Sequence, residues 1–132
     1  MKHIFQSFFA VVGTVLTYLF GGWSALLGIL LAFVILDYIT GFIAAGSKGE
    51  LSSAVGFNGI GRKIGIFVLV AVAHLVDRAL GDGTLIRDAA IFFYIANELL
   101  SVIENAGVLG VPVPDILLRA VDILKGKTEP PK

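Results

Sequence analysis

The chain has 132 residues, 57% hydrophobic and 15% charged, with as many Lys+Arg as Asp+Glu and no cysteine. A soluble globular domain is about 45–50% apolar and about 25% charged, so this composition, with a mean hydropathy of +0.93, belongs to a protein whose solvent is lipid. The absent net charge leaves no electrostatic footprint for nucleic acid, and the absent cysteines exclude disulfides, thiolate catalysis and Cys-ligated zinc. The length accommodates one membrane domain over residues 1–132 and no separate soluble catalytic module.

Four apolar stretches follow one another along the chain. Residues 4–20 are apolar apart from Gln6, Ser7, Thr14 and Thr17 and stop at Gly21, Gly22, Trp23 and Ser24, which is the short limit for a span. Residues 25–45 carry one formal charge, Asp37, well inside a helix that rises roughly 30 Å at about 1.5 Å per residue, enough to cross a bilayer core. Residues 46–63 are rich in glycine and carry Lys48, Glu50, Arg62 and Lys63; this segment reads as a loop. A third stretch, 64–80, closes at the turn residues Gly81, Asp82 and Gly83, and a fourth, 85–104, is more polar than the others. Pro112 and Pro114 then precede an amphipathic helix in the tail, 106–132, with Asp115, Arg119, Asp122 and Lys125 at helical spacing, expected at the interface or in water. The predicted fold is all-α: three to four transmembrane helices and a C-terminal amphipathic helix.

If all four stretches span with both termini in the cytoplasm, Lys2, Lys48, Arg62, Lys63, Arg119, Lys125, Lys127 and Lys132 collect inside, leaving Arg78 and Arg87 near the outside. The positive-inside rule favours that topology. A three-span arrangement, with the first stretch lying flat, would place Met1 outside and keep the rest. The N-terminus has the basic and apolar pattern of a signal peptide but no clean small-residue cleavage site.

The polar residues within the spans are the functional candidates, because an ionised group at mid-membrane must face protein or water. At 100° per residue, Arg87, Tyr94, Asn97, Glu98, Ser101, Glu104 and Asn105 fall within an arc of about 120° on the fourth stretch, with Ile91, Ile95, Leu99 and Val102 opposite and expected to face lipid. Such a stripe is either an interhelical polar network or a surface that meets water once several copies assemble. In the second stretch Asp37, Thr40, Gly41, Ala44 and Ala45 share a side, and the small residues suit close helix approach, within the chain or between copies. In the third, His74, Asp77 and Arg78 form a possible polar network, with Asp77 and Arg78 facing Arg87 and Asp88 across the turn as a charge-paired hairpin end. Lys63 lies on the same side. No catalytic constellation emerges: His3 and His74 lie apart without carboxylates at metal-ligand spacing, and no serine neighbours a base. Gly59, Gly61 and Lys63 lack the order and the preceding strand of a phosphate loop. No cofactor is expected.

Four ordered motifs resemble the phage lysis and toxin-secretion holins of Gram-positive bacteria and their phages. They are Leu36-Asp37-Tyr38-Ile39-Thr40-Gly41 with Ala44-Ala45; Leu51-Ser52-Ser53 with Gly59 and Arg62-Lys63; Phe93-Tyr94-Ile95-Ala96-Asn97-Glu98 with Ser101 and Glu104-Asn105; and Gly110-Val111-Pro112-Val113-Pro114 before the tail helix. The first stretch carries no matching motif. The resemblance implies a multi-pass protein of the bacterial cytoplasmic membrane that associates with itself, opens a non-selective lesion, dissipates the membrane potential and releases a cell-wall hydrolase (endolysin) or a toxin. The competing expectation is a small dimeric ion channel, or a proton- or cation-coupled transporter, using Asp37 or Glu98. A third is a membrane anchor recruiting a partner through its tail.

Overall fold

A computed structural model describes residues 1–128, and over them the chain is all-α, with five helices and no strand. They are α1 (Lys2–Phe20), α2 (Ala25–Ser47), α3 (Ser53–Leu80), α4 (Leu85–Val108) and α5 (Asp115–Gly126). By length and composition α1, α2 and α3 can cross a membrane. The polar stripe keeps α4 outside that group, although α4 is as long as α2 and is central to the bundle, packing against α2, α3 and α5. Lys132 and its neighbours from residue 129 onward lie outside the described residues.

Local sequence explains the helix limits. α1 ends where Gly21, at φ 77°, turns into the left-handed region and returns its N–H to the Thr17 carbonyl at 2.8 Å. Ser24 caps α2 by accepting from the Leu27 N–H at 3.1 Å, and Ser52 does the same for α3 through the Val55 N–H at 3.1 Å.

That second cap corrects the sequence reading of residues 46–63 as a loop. From Ser53 onward the segment is the first part of α3, a helix of 28 residues. The glycines act there as packing residues. A Cβ on Gly56 would lie 3.3 Å from the Tyr38 hydroxyl oxygen, and one on Gly59 would lie 3.4 Å from the Tyr38 ring, so their absent side chains let α3 approach α2 around that ring.

The core is a cluster of Leu27, Leu30 and Val34 from α2, Val70 from α3, and Ile91 and Ile95 from α4, with Phe67 and Leu124 packed against it. This overturns the expectation that Ile91, Ile95 and Leu99 face lipid: they are 0%, 3% and 7% exposed. The apolar side of α4 is occupied by α2, α3 and α5, while the outer surfaces of α2 and α3, including Ile35, Leu36, Ile39, Leu69 and Val72, are left for lipid. α1 differs from both. It has no buried residue and packs along α3, meeting the rest of the bundle only at its Phe20 end.

Candidate functional site

Halfway along the bundle, three charged side chains from three helices converge. The Lys63 ammonium on α3 donates to Asp37 on α2 and to both Glu98 oxygens on α4, at 2.7 and 3.0 Å. Asp37 and Glu98 are each 6% exposed at the side chain and Lys63 is 21% exposed. Burial of a charge is tolerable only with a partner at hydrogen-bond distance, and here two carboxylates share one ammonium, a net negative charge when all three are ionised. Lys63, counted from the sequence among the basic residues of a cytoplasmic loop, is instead an interior residue. What hid it was the reading of its segment as a loop; the signal that could have found it is that it follows Gly59 by one helical turn, on the side that meets Tyr38 and Asp37.

Asn105 extends the network. Its side-chain amide donates to Asp37 Oδ1 at 3.0 Å and to the Thr40 hydroxyl at 2.9 Å. Thr40 in turn donates to the Leu36 carbonyl at 2.8 Å, which fixes its oxygen as an acceptor for Asn105. Gly41 lies directly under this amide, where a Cβ would stand 3.5 Å from Asn105 Nδ2, and Ala44 is buried in the same interface. The small-residue side of α2 therefore packs against α4 of its own chain, with Ala45 half-buried beside it.

The polar stripe of α4 divides along its length. Glu98 and Asn105 turn inward to the trio, Tyr94 and Ser101 are half-buried, and Asn97 and Glu104 are exposed. Two clefts open beside the trio. One, about 250 Å³, has Asp37, Lys63, Ser101 and Asn105 in its wall together with Tyr38 and Arg62. The other, about 700 Å³, is lined by Tyr94, Asn97, Glu98 and Ser101 of the stripe, by Asp37, Arg62 and Lys63, and by Ile66, Val68 and Leu69 of α3. Arg87, the remaining stripe residue, belongs to the opposite end.

There the hairpin between α3 and α4 is closed by Asp77. Its carboxylate accepts from the Ile86 N–H at 3.0 Å and the Arg87 N–H at 2.8 Å, so a residue of α3 caps the N-terminus of α4, where Thr84 makes no side-chain cap of its own. Arg87 pairs with Asp88 at 3.1 Å and donates to the Phe20 carbonyl at 3.0 Å, tying the end of α1 to α4. Arg78 donates to the Gly83 carbonyl. The charge pairing expected across the turn between Asp77 and Arg78 on one side and Arg87 and Asp88 on the other does not form: Asp77 caps backbone N–H groups, Arg78 meets a turn carbonyl, and Arg87 pairs with its neighbour Asp88. His74 is buried beside Gly21, whose Cβ would meet the imidazole at 2.7 Å, and it contacts the α1 end rather than the trio. Among the described residues no group of His, Asp and Glu could hold a metal ion.

The profile of the bacteriophage holin family matches residues 14–126. The chain belongs to that family. Among its relatives, an uncharacterised protein of Halalkalibacterium halodurans is 49% identical over 89% of this chain and 90% of its own length. An uncharacterised protein of Listeria innocua is 47% identical over 88% of this chain and 83% of its own. A protein of Bacillus phage phi105 named a probable holin is 34% identical over 85% of this chain and 82% of its own length. No solved structure matches the chain.

Proposed function

We propose that the protein is a holin in action as well as in family: a non-enzymatic, multi-pass protein of the host cytoplasmic membrane that assembles with copies of itself into a non-selective lesion, collapses the membrane potential and lets an endolysin reach the cell wall. The observation that carries this reading is the polar seam. The stripe residues Tyr94, Asn97, Glu98 and Ser101 line a cleft of about 700 Å³ together with Asp37, Arg62 and Lys63 and with Ile66, Val68 and Leu69 of α3, while the outer faces of α2 and α3 are apolar. A subunit that must be stable alone in lipid and later line water needs polar groups that satisfy one another first and can be re-partnered afterwards. In this reading α4 crosses beside α2, its Glu98 made tolerable by Lys63, and both termini are cytoplasmic.

Expression alone should stop growth and depolarise the membrane, with rapid lysis only when an endolysin is co-expressed. The decisive measurement is release of a folded cytoplasmic reporter alongside membrane potential. Degradation of purified cell wall by the protein itself would end the proposal. Topology is checked by Ser53→Cys, which sits exposed at the start of α3 and should resist impermeant thiol reagents in intact cells; labelling from outside before lysis overturns the orientation.

One observation favours a second reading, a small ion-coupled transporter: Asp37 and Glu98 share a single ammonium, an arrangement with room for one more positive charge. That reading requires saturable flux of one ion, abolished by Asp37→Asn, with no reporter release at any expression level. A holin carrying Asp37→Asn changes its timing and still makes an unselective lesion.

A further inference from the structure

The C-terminal helix does not extend away from the bundle. It folds back along α4, with Val121 5% exposed against that helix and Leu124 packed on the core cluster that contains Ile91 and Ile95. Ile95 stands roughly 20 Å from the C-terminal end of α4 at about 1.5 Å per residue, so α5 returns well into the depth of the bundle. Its outer face then needs an explanation. At 100° per residue Asp115, Arg119, Asp122 and Lys125 fall within an arc of about 120° opposite Leu124, and all four are exposed. None of them forms an ion pair among the described residues. Ile116 and Ile123, 68% and 66% exposed, flank this arc on the Arg119 side.

Acyl chains do not suit four charges at that depth. An anionic lipid surface or a polyanion is not selected either, because two acids and two bases cancel. Water alone leaves the flanking isoleucines bare. A face with equal numbers of both signs and an apolar border is complementary to itself. Resting on the lesion-forming assembly proposed above, we propose that the outer face of α5 is the surface on which a second copy of this chain docks.

The test uses the full chain in membranes and exploits its lack of cysteine. Ile123→Cys should form disulfide-linked dimers on oxidation. Two further variants are built in that background: an all-acidic face, Arg119→Glu with Lys125→Glu, and an all-basic face, Asp115→Lys with Asp122→Lys. Each alone should cross-link at least tenfold less, and co-expression of the two should restore cross-linking, which also shows that both fold. Cross-linking that is indifferent to the charge sets, or no better in the mixture, overturns the proposal and leaves Ile123 facing water or lipid. If Ile123→Cys never cross-links while the chain remains oligomeric in mild detergent, the α5 surface falls and the lesion reading stands. A chain that is monomeric at every expression level removes both.

Discussion

Asp37 and Asp77 are buried to nearly the same degree, 6% and 4% exposed, and are neutralised by opposite means. Asp77 is held by backbone N–H groups at a helix start, partners that cannot leave while α4 exists. Asp37 is held by a lysine and an asparagine side chain, and it shares the lysine with Glu98. A side chain can rotate away; a helix terminus cannot. The hairpin end, where Asp77 joins α3 to α4 and Arg87 ties in α1, is thus the permanent joint of the molecule, and the trio is the place where helices can exchange partners. In the lesion-forming reading proposed above, the difference separates what stays from what moves.

The largest effect should come from removing the shared cation. Lys63→Met leaves two buried carboxylates without it, a loss of about 3 kcal/mol, the low end for a broken buried pair because Lys63 keeps 21% of its side chain exposed. It should appear as reduced yield of monodisperse protein in mild detergent, recovered when Asp37→Asn and Glu98→Gln are added; failure of the triple variant to recover would break the contrast. Asp77→Ala removes the cap and should weaken the hairpin by about 1–2 kcal/mol, read as faster amide exchange at Ile86 and Arg87 with the trio end unchanged. Leu99→Ile, a volume-conserving change at a position 7% exposed, should lower thermal stability by about 1 kcal/mol; a lipid-facing residue would show none. Gly41→Ala is the smallest: its Cβ would meet Asn105 at an ordinary 3.5 Å, and the gain in helix propensity should stabilise by up to about 1 kcal/mol. A loss there would mean that Asn105 is held more tightly to Asp37 than the geometry implies.

Much of the fold was legible because apolar length and glycine punctuation are local properties. The bounds of α2 and the all-α class follow from residues 25–45 and the turns at Gly21 and Gly81. Asp37 had to face protein, and it does. What the sequence misassigned was the environment of a face rather than its membership. Ile91, Ile95 and Leu99 share a side of α4, but the interior of this bundle and the interior of a bilayer are equally apolar, so periodicity could not choose between them. The same ambiguity affected Gly56 and Gly59, since a glycine that breaks a helix and one that admits a tyrosine ring are written identically. Lys63 was grouped with His74, Asp77 and Arg78 rather than with Asp37 and Glu98, whose charges it joins at the centre of the candidate site.

The trio also sets a timetable. Asp37 precedes Lys63 by 26 residues and Glu98 follows it by 35. As the chain emerges from the ribosome, α2 and α3 can enter the membrane as a hairpin whose two opposite charges already cancel. Glu98 comes later, by roughly 2–7 s at typical elongation rates of about 5–20 residues per second. It arrives at an ammonium that already has a partner, so of the three helices that build the trio α4 joins last and brings the surplus charge. The order of synthesis therefore closes the trio in two steps, the Asp37–Lys63 pair first and the Glu98 contacts second.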